Sequence, residues 1–172
     1  DGSRNSYRIV RLKDKLGTKS MASGEIILDG AIAYLVGDVD RGFKQMMEQV
    51  NPILDTFETV VGYGGSMGGY AAIKFSALLR MQRVIAFVPR YSIDPQVVED
   101  RRYAEFFDVN VHRDMEIRHE DVCSDAEYIV VYDPYYREDR EHYLKIKQVV
   151  PQLLTLHLPF TGHEALSVLA SS

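Results

Sequence analysis

The sequence predicts an α/β fold, in which a partial parallel sheet with flanking helices follows a short, mainly β segment. Apolar strand-like runs alternate with helical runs after about residue 52, and such alternation is typical of parallel strands joined by crossover helices. Before that point, short β-type runs are separated by glycine-containing turns, which favours antiparallel strands. We therefore divide the chain into a segment of residues 1–51 and an α/β domain of residues 52–172.

The first segment contains three short apolar runs, with turn signals such as Ser23-Gly24 and Asp29-Gly30 between them. The predicted strands are Tyr7 to Leu12, Glu25 to Leu28 and Ile32 to Val36. A helix is expected from Lys44 to Val50. We expect Pro52 to interrupt it, because proline lacks the backbone N–H that a helix interior needs.

The second segment alternates four strands with four helices. The predicted strands are Thr59 to Tyr63, Arg83 to Val88, Tyr128 to Tyr132 and Leu153 to Leu158. The predicted helices are Met67 to Leu79, Val97 to Phe107, Arg140 to Val149 and Glu164 to Ala170. Because parallel strands end at one edge of a sheet, the residues that follow them are candidates for a functional site.

Composition argues against several classes of function. The net charge of -5 is spread without a basic cluster, so no nucleic acid or anionic membrane partner is expected. The single cysteine, Cys123, excludes an internal disulfide and a cysteine-based zinc site. We therefore expect no metal, no membrane span and a cytoplasmic location; the beginning of the chain shows no secretory leader pattern.

One motif has the pattern of a nucleophile elbow. In Gly64-Gly65-Ser66-Met67-Gly68 a serine stands between glycines, where an apolar strand meets a helix. The turn is so tight that Gly64 and Gly68 are expected to be glycine for lack of space. The amide of Met67, at the helix start, would donate to an oxyanion. The alternative is a glycine-rich turn with no chemical role.

A serine nucleophile needs an imidazole base, and the imidazole needs a carboxylate to orient it. His163 follows the last predicted strand and is the candidate base; the alternative is a histidine at a helix N-terminus without such a role. Two aspartates remain open as the acid. Asp133 lies directly at a strand end, where it could also cap a turn, and Asp139 begins a helix, where aspartate is also common. Asp94 is a weaker third candidate.

The other four histidines are given no catalytic role. His142 and His157 lie inside a predicted helix and a predicted strand, where a structural role is expected. His112 and His119 lie in a charged segment and are expected to be solvated.

Two resemblances to known families cover different parts of the chain. Residues 1 to about 51, through Arg8 to Glu25 and Gly37 to Val50, resemble the end of the middle β domain and the start of the helical domain of acyl-CoA dehydrogenases. In that family this stretch lies beside flavin and thioester, but the catalytic carboxylate and most FAD contacts come from segments absent here. The resemblance therefore implies a fragment, and FAD is expected only if this segment sets the function.

Residues 56–172 resemble the C-terminal half of bacterial α/β-hydrolase-fold proteins. The resemblance rests on the serine motif, the strand ending Ala86 to Asp94, the Val131 to Pro134 strand end and Gly162-His163. In that fold serine, acid and histidine follow one another along the chain, and the acid usually lies a few residues past its strand, which slightly favours Asp139. The chain thus resembles a mosaic of two families.

The leading hypothesis is a serine hydrolase or acyl-transfer protein, esterase- or thioesterase-like, acting on a small-molecule ester or thioester. It assigns Ser66 as nucleophile, His163 as base, Asp139 or Asp133 as orienting acid and the Met67 amide as oxyanion donor. No earlier strand is found to supply a second oxyanion amide, so impaired activity is expected. The alternatives are an acyl-CoA dehydrogenase fragment without a complete site and a catalytically silent α/β module.

Overall fold

The structure is a computed structural model that describes residues 6–12, 24–32, 34 and 42–170. It divides into two compact units, Asp1–Met46 and Met47–Ser172, which are described separately below. The predicted α/β class is confirmed, because the second unit contains a four-stranded parallel sheet with flanking helices. A two-stranded antiparallel sheet lies in the first unit.

Two of the three strands predicted for the first segment are present among its described residues. Strand β1, Tyr7–Leu12, pairs antiparallel with β2, Gly24–Leu28. Every residue of β1 is exposed to solvent, so the described part of this ladder has no buried face. The third predicted run, Ile32 to Val36, is described only at Ile32 and Tyr34, neither of which lies in a strand.

Helix α1, Gly42–Leu54, continues through Pro52, so the prediction that this proline interrupts the helix is wrong. Pro52 lies in the last turn, where its missing N–H removes a single hydrogen bond, to the carbonyl of Glu48. Both residues are exposed, and water can satisfy that carbonyl. The predicted boundary after residue 51 therefore falls inside a helix.

The second unit is built on four parallel strands in the order β3-β4-β5-β6. They are β3 Val61–Gly65, β4 Arg83–Phe87, β5 Glu127–Tyr132 and β6 Leu154–His157. The helices of this unit after α1 are α2 Met67–Lys74, α3 Val109–His112, α4 Arg137–Val149 and α5 Ala165–Ala170. Each of the four predicted strands is present within two residues of its expected bounds. None of the described helices has the length and apolar character needed to cross a bilayer.

One predicted helix is absent from the structure, a second is shorter than expected, and α4 begins at Arg137 rather than Arg140. The segment from Val97 to Phe107 forms turns and one short 3₁₀ helix, Ala104–Phe106, because the buried Asp100 carboxylate accepts from the backbone N–H of Arg102. Such a local side-chain bond competes with helical hydrogen bonding. Helix α2 ends at Lys74 rather than Leu79.

The core lies where α2 and α4 pack on the sheet. Ile73 of α2, Val84 of β4, Val130 of β5 and Ile146 of α4 are each at most 1% exposed. Among the described residues, β3 pairs with β4 on one side and with no strand on the other. The carboxyl ends of the four strands face the loops that carry the candidate site residues.

Candidate functional site

Ser66 occupies a strained turn between β3 and α2. Its backbone has φ 53° and ψ -113°, a region that costs a non-glycine residue about 1–3 kcal/mol. Three backbone hydrogen bonds hold it there. The N–H of Ser66 donates to the carbonyl of Phe87 at 2.8 Å, and its carbonyl accepts from the N–H of Tyr70 at 3.0 Å and from that of Arg90 at 3.4 Å.

The glycines around this turn do not have equal roles. A Cβ on Gly64 would lie 2.4 Å from the carbonyl carbon of Gly68, so Gly64 has no space for a side chain. The expected requirement does not hold at Gly68, where a Cβ would meet nothing within 4 Å. It holds instead at Gly69, whose Cβ would lie 3.1 Å from Pro89 and 3.2 Å from the Gly64 carbonyl oxygen. In the sequence, only the pair Gly68-Gly69 indicated that Gly69 could be the glycine required here.

Met67 is the first residue of α2. The first N–H groups of a helix have no acceptor within it, and the helix dipole favours negative charge there. The Met67 side chain is 45% exposed, so the start of this helix is open to solvent. The role of its amide as an oxyanion donor stays a prediction.

The structure brings Ser66, His163 and Asp139 into one hydrogen-bonded chain. The Nε2 atom of His163 lies 3.0 Å from Ser66 Oγ. Its Nδ1 atom lies 2.8 Å and 3.0 Å from the two carboxylate oxygens of Asp139. An ionised carboxylate only accepts, so Nδ1 carries the proton and Nε2 is free to accept from the serine hydroxyl.

Asp133 takes a different position. Its carboxylate accepts from the backbone N–H of Gly162 at 2.9 Å and of Tyr135 at 2.9 Å. Burial alone would raise the pKa of Asp133, but these amide donors outweigh burial and hold that pKa below its ordinary value. Asp133 therefore fixes the loop before His163, whose own hydrogen-bond partners are Ser66 and Asp139. Asp94 accepts from the N–H of Gln96 in a local turn.

Asp139 lies in the first turn of α4 and is 2% exposed. Besides His163, its carboxylate accepts from Arg102 Nη2 at 2.8 Å. Burial alone would raise the pKa of Asp139, but the hydrogen bonds and charges of His163 and Arg102 hold it below its ordinary value. The carboxylate that orients the imidazole is therefore ionised at neutral pH.

A second, buried ionic cluster adjoins this chain. Asp100 accepts from Arg102, Arg90 and His142 Nε2, the last at 3.0 Å. Arg90, Asp100 and His142 are each at most 3% exposed. Burial alone would raise the pKa of Asp100, but its donors hold it well below its ordinary value. Arg102, Asp100 and Arg90 were not among the predicted site residues, because the first two fall in the predicted helix Val97 to Phe107 and Arg90 was given no role.

An apolar cavity of about 200 Å³ adjoins the start of α2. Its lining residues are Met67, Tyr70, Arg90, Ser92, Ile93, His112 and Met115. The Tyr70 hydroxyl donates to the carbonyl of Met115 at 2.5 Å. Burial, together with the charges of Asp121 and Glu116, raises the pKa of Tyr70 to about 12, so the hydroxyl stays protonated and keeps this hydrogen bond well above neutral pH.

Comparison with known proteins gives matches to part of the chain. No family model matches. The chain is 46% identical over 50 residues to acyl-CoA dehydrogenase family member 11 of Caenorhabditis elegans. It is 44% identical over 48 residues to the protein named "Putative acyl-CoA dehydrogenase AidB" of Escherichia coli (strain K12). These stretches are 29% and 28% of this chain, and the chain spans only 8% and 9% of the relatives' lengths.

These matches support the acyl-CoA dehydrogenase part of the resemblance and give no support to the α/β-hydrolase part. They overturn the leading hypothesis of a serine hydrolase or acyl-transfer protein. Both relatives are named as acyl-CoA dehydrogenases, and each matches this chain over a partial stretch. This points to the alternative of a dehydrogenase fragment. Hydrogen bonds among three side chains show how those side chains are arranged and do not by themselves define what the chain turns over.

Proposed function

We propose that the chain is an acyl-CoA dehydrogenase fragment without a complete flavin site. The observation that carries this proposal is the 46% identity over 50 residues to an acyl-CoA dehydrogenase family member. The resemblance of residues 1–51 to the same family implies a place beside flavin and thioester. The same resemblance leaves the catalytic carboxylate and most flavin contacts to other segments.

The described residues of the first unit do not fit FAD. A bound cofactor has most of its surface buried by its site, whereas every residue of β1 is exposed. The cavity beside this ladder holds about 380 Å³, and its lining residues are Ser6, Tyr7, Arg8, Ile27 and Asp29. All five lie on the exposed ladder or its ends, so they supply no enclosing walls for an isoalloxazine ring. We assign no flavin step to this chain.

The test is to purify the full chain, incubate it with excess FAD and remove free flavin by gel filtration. We expect no flavin absorbance to co-elute with the protein and no reduction of an artificial electron acceptor by acyl-CoA. A complete acyl-CoA dehydrogenase carried through the same steps is the positive control. Stoichiometric flavin on the chain would show that its site is complete and overturn this proposal.

A second proposal concerns one side chain and assigns no turnover. We propose that Ser66 is an activated nucleophile, with His163 as base, Asp139 as orienting acid and the Met67 amide as oxyanion donor. It is supported by the continuous Oγ to Nε2 and Nδ1 to carboxylate contacts of 3.0 Å and 2.8 Å. A serine with this support reacts with electrophiles that an ordinary serine does not attack at neutral pH.

Labelling by a fluorophosphonate probe tests this reactivity. The Ser66 oxygen bonds to phosphorus, fluoride leaves, and the hydroxyl proton passes to His163 Nε2. We expect Ser66→Ala to abolish labelling. Ser167→Ala is the matched control, because Ser167 is an exposed serine whose hydroxyl donates to the Glu164 carboxylate at 2.9 Å. Equal labelling of wild type and Ser66→Ala would show that another residue reacts.

The remaining sequence expectations stay predictions. They are a cytoplasmic location, a small-molecule ester or thioester as ligand and no nucleic acid, membrane or metal partner. Each follows from composition or resemblance, and each needs its own measurement on the purified chain.

A further inference from the structure

We propose that Arg102 is a positioning residue that holds Asp139 in the orientation required by His163. The inference rests on the proposed Ser66 site and extends it to a residue outside the serine, histidine and aspartate. Arg102 lies in the loop that the sequence predicted to be a helix, and its guanidinium is the link between Asp139 and the buried Asp100 cluster.

Arg102 and His163 share one carboxylate oxygen of Asp139. Asp139 Oδ1 accepts from Arg102 Nη2 at 2.8 Å and lies 3.0 Å from His163 Nδ1. The second oxygen, Oδ2, lies 2.8 Å from the same imidazole nitrogen. A carboxylate fixed by donors on two sides cannot rotate freely about its last torsion. Arg102 thereby sets which oxygen lone pairs face the imidazole.

Arg102 is itself held in place by Asp100. Its Nε lies 2.9 Å from Asp100 Oδ1 and its Nη2 lies 2.8 Å from Asp100 Oδ2, which is the paired geometry that arginine forms with carboxylates. Its guanidinium lies 5.2 Å from the centre of the Tyr136 ring. Its side chain is 25% exposed. A group this constrained can orient a neighbour without a large loss of side-chain freedom.

The charge of Arg102 is needed to balance the charges of the buried cluster. Two arginines, Arg90 and Arg102, face two carboxylates, Asp100 and Asp139, and the two histidines complete the cluster. The set is neutral when both imidazoles are neutral. Removing the charge of Arg102 leaves one uncompensated negative charge beside His163, which stabilises imidazolium. Because only neutral imidazole accepts the serine proton, labelling should then begin at higher pH.

The experiment measures the pH dependence of fluorophosphonate labelling in three variants. Arg102→Gln removes the charge, Arg102→Lys keeps the charge without the paired geometry, and Arg101→Gln is an exposed neighbour in the same loop. We expect Arg102→Gln to slow labelling about 10-fold to 100-fold, as is typical for a supporting residue, and to move the pH midpoint upward. Arg102→Lys should keep the midpoint and recover part of the rate. Arg101→Gln should match wild type.

A proton NMR measurement separates this proposal from that of the Ser66 nucleophile. The His163 Nδ1 proton bonded to a carboxylate gives a far-downfield resonance, assigned by its loss in His163→Ala. That resonance reports the Asp139 contact whether or not Ser66 reacts. We expect Arg102→Gln to lose or shift it while circular dichroism stays unchanged.

The outcomes are distinct. Wild type that keeps the resonance but is not labelled overturns the nucleophile proposal alone. A resonance and pH midpoint both unchanged in Arg102→Gln overturn the positioning role, even if the labelling rate falls. If Arg102→Gln does not fold, the test is made with Arg102→Lys. A wild-type rate and resonance in that variant would overturn the proposal, because they would show that the paired guanidinium geometry is not needed.

Discussion

The second unit contains two aspartate–histidine pairs that share Arg102 and differ in what the imidazole can do. In the pair Asp139–His163, Nδ1 faces the carboxylate and Nε2 faces the Ser66 hydroxyl. In the pair Asp100–His142 the nitrogens are reversed. Nε2 faces the carboxylate at 3.0 Å, and Nδ1 accepts the backbone N–H of Tyr91 at 3.0 Å. The basic nitrogen of His142 is therefore already occupied by the backbone.

Exposure separates the two pairs further. The side chain of His163 is 21% exposed, whereas that of His142 is 1% exposed. Burial, which outweighs the opposing hydrogen bond and charge of Asp100, lowers the pKa of His142 below its ordinary value. The same two residue types thus form a reactive arrangement or a structural one. The outcome depends on which nitrogen meets the carboxylate and on what occupies the other nitrogen.

The sharpest way to break this comparison is to remove each imidazole in turn. We expect His163→Ala to lower the fluorophosphonate labelling rate about 10⁴-fold, because the serine loses its proton acceptor. Labelling of folded His142→Ala should stay within about threefold of wild type, because His142 contacts neither Ser66 nor His163. Comparable losses in both variants would mean that the two pairs act as one unit.

An isosteric pair tests which aspartate serves His163. Asp139→Asn should lower labelling about 10³-fold or more, since an amide in place of the carboxylate favours the wrong imidazole tautomer. Asp133→Asn keeps only one of the two oxygens that accept from Tyr135 and Gly162, but it leaves the Asp139 carboxylate on His163, so its labelling rate should fall less than about 10-fold. Rates are measured at one pH with circular dichroism as the control for folding. The reverse order of the two variants would assign the orienting role to Asp133.

Stability should respond in the opposite order. We expect His142→Ala to lower the free energy of unfolding by about 3 kcal/mol, because it leaves a cavity and removes a buried hydrogen bond to Asp100. His163→Ala, at a partly exposed position, should lower it by less than about 1 kcal/mol. Urea denaturation of both variants measures the difference. Equal losses would show that His142 is not the structural member of the two.

The smallest expected effect concerns pH. The folded-state pKa of His142 lies below its ordinary value of 6.5, so the unfolded chain takes up this proton first as pH falls. The stability contributed by neutral His142 is complete above about pH 6.5 and declines below it, by at most about 1.4 kcal/mol per pH unit. The variant His142→Gln should lack this part of the slope. Asp100 and Asp139 affect stability in a lower pH range. Because their pKa values are lowered in the folded chain, their contribution to the free energy of unfolding is lost only as the pH falls below 3.8.

The sequence was sufficient for features that depend on local pattern. Apolar runs predicted all four parallel strands, and the glycine pattern predicted the tight turn at Ser66. Chain order then placed His163 at the correct sheet edge. Asp133 and Asp139 could not be separated, because both follow β5. The choice depends on α4, which begins at Arg137 and places Asp139 in its first turn, while loop amides occupy Asp133.

The ionic cluster was beyond sequence reasoning for a different reason. The run Glu99-Asp100-Arg101-Arg102 has the composition of a solvated helix face. What buries Asp100 is Arg90, ten residues earlier, and His142, forty-two residues later. No local periodicity reports such distant partners, so Arg102 could not be connected to Asp139. Pro52 was misjudged for a related reason, since its cost depends on its place within α1 and on solvent exposure.

The positive φ of Ser66 has a consequence for how this chain would change under selection. Glycine adopts φ 53° without the strain that a side chain brings there. We therefore expect Ser66→Gly to raise the free energy of unfolding by about 1 kcal/mol, after glycine's own entropy cost is deducted. A library screened only for heat resistance would therefore favour loss of the serine. If Ser66 were retained despite this gain in stability, that retention would indicate that the side chain has a function. This evidence would not depend on any chemical probe.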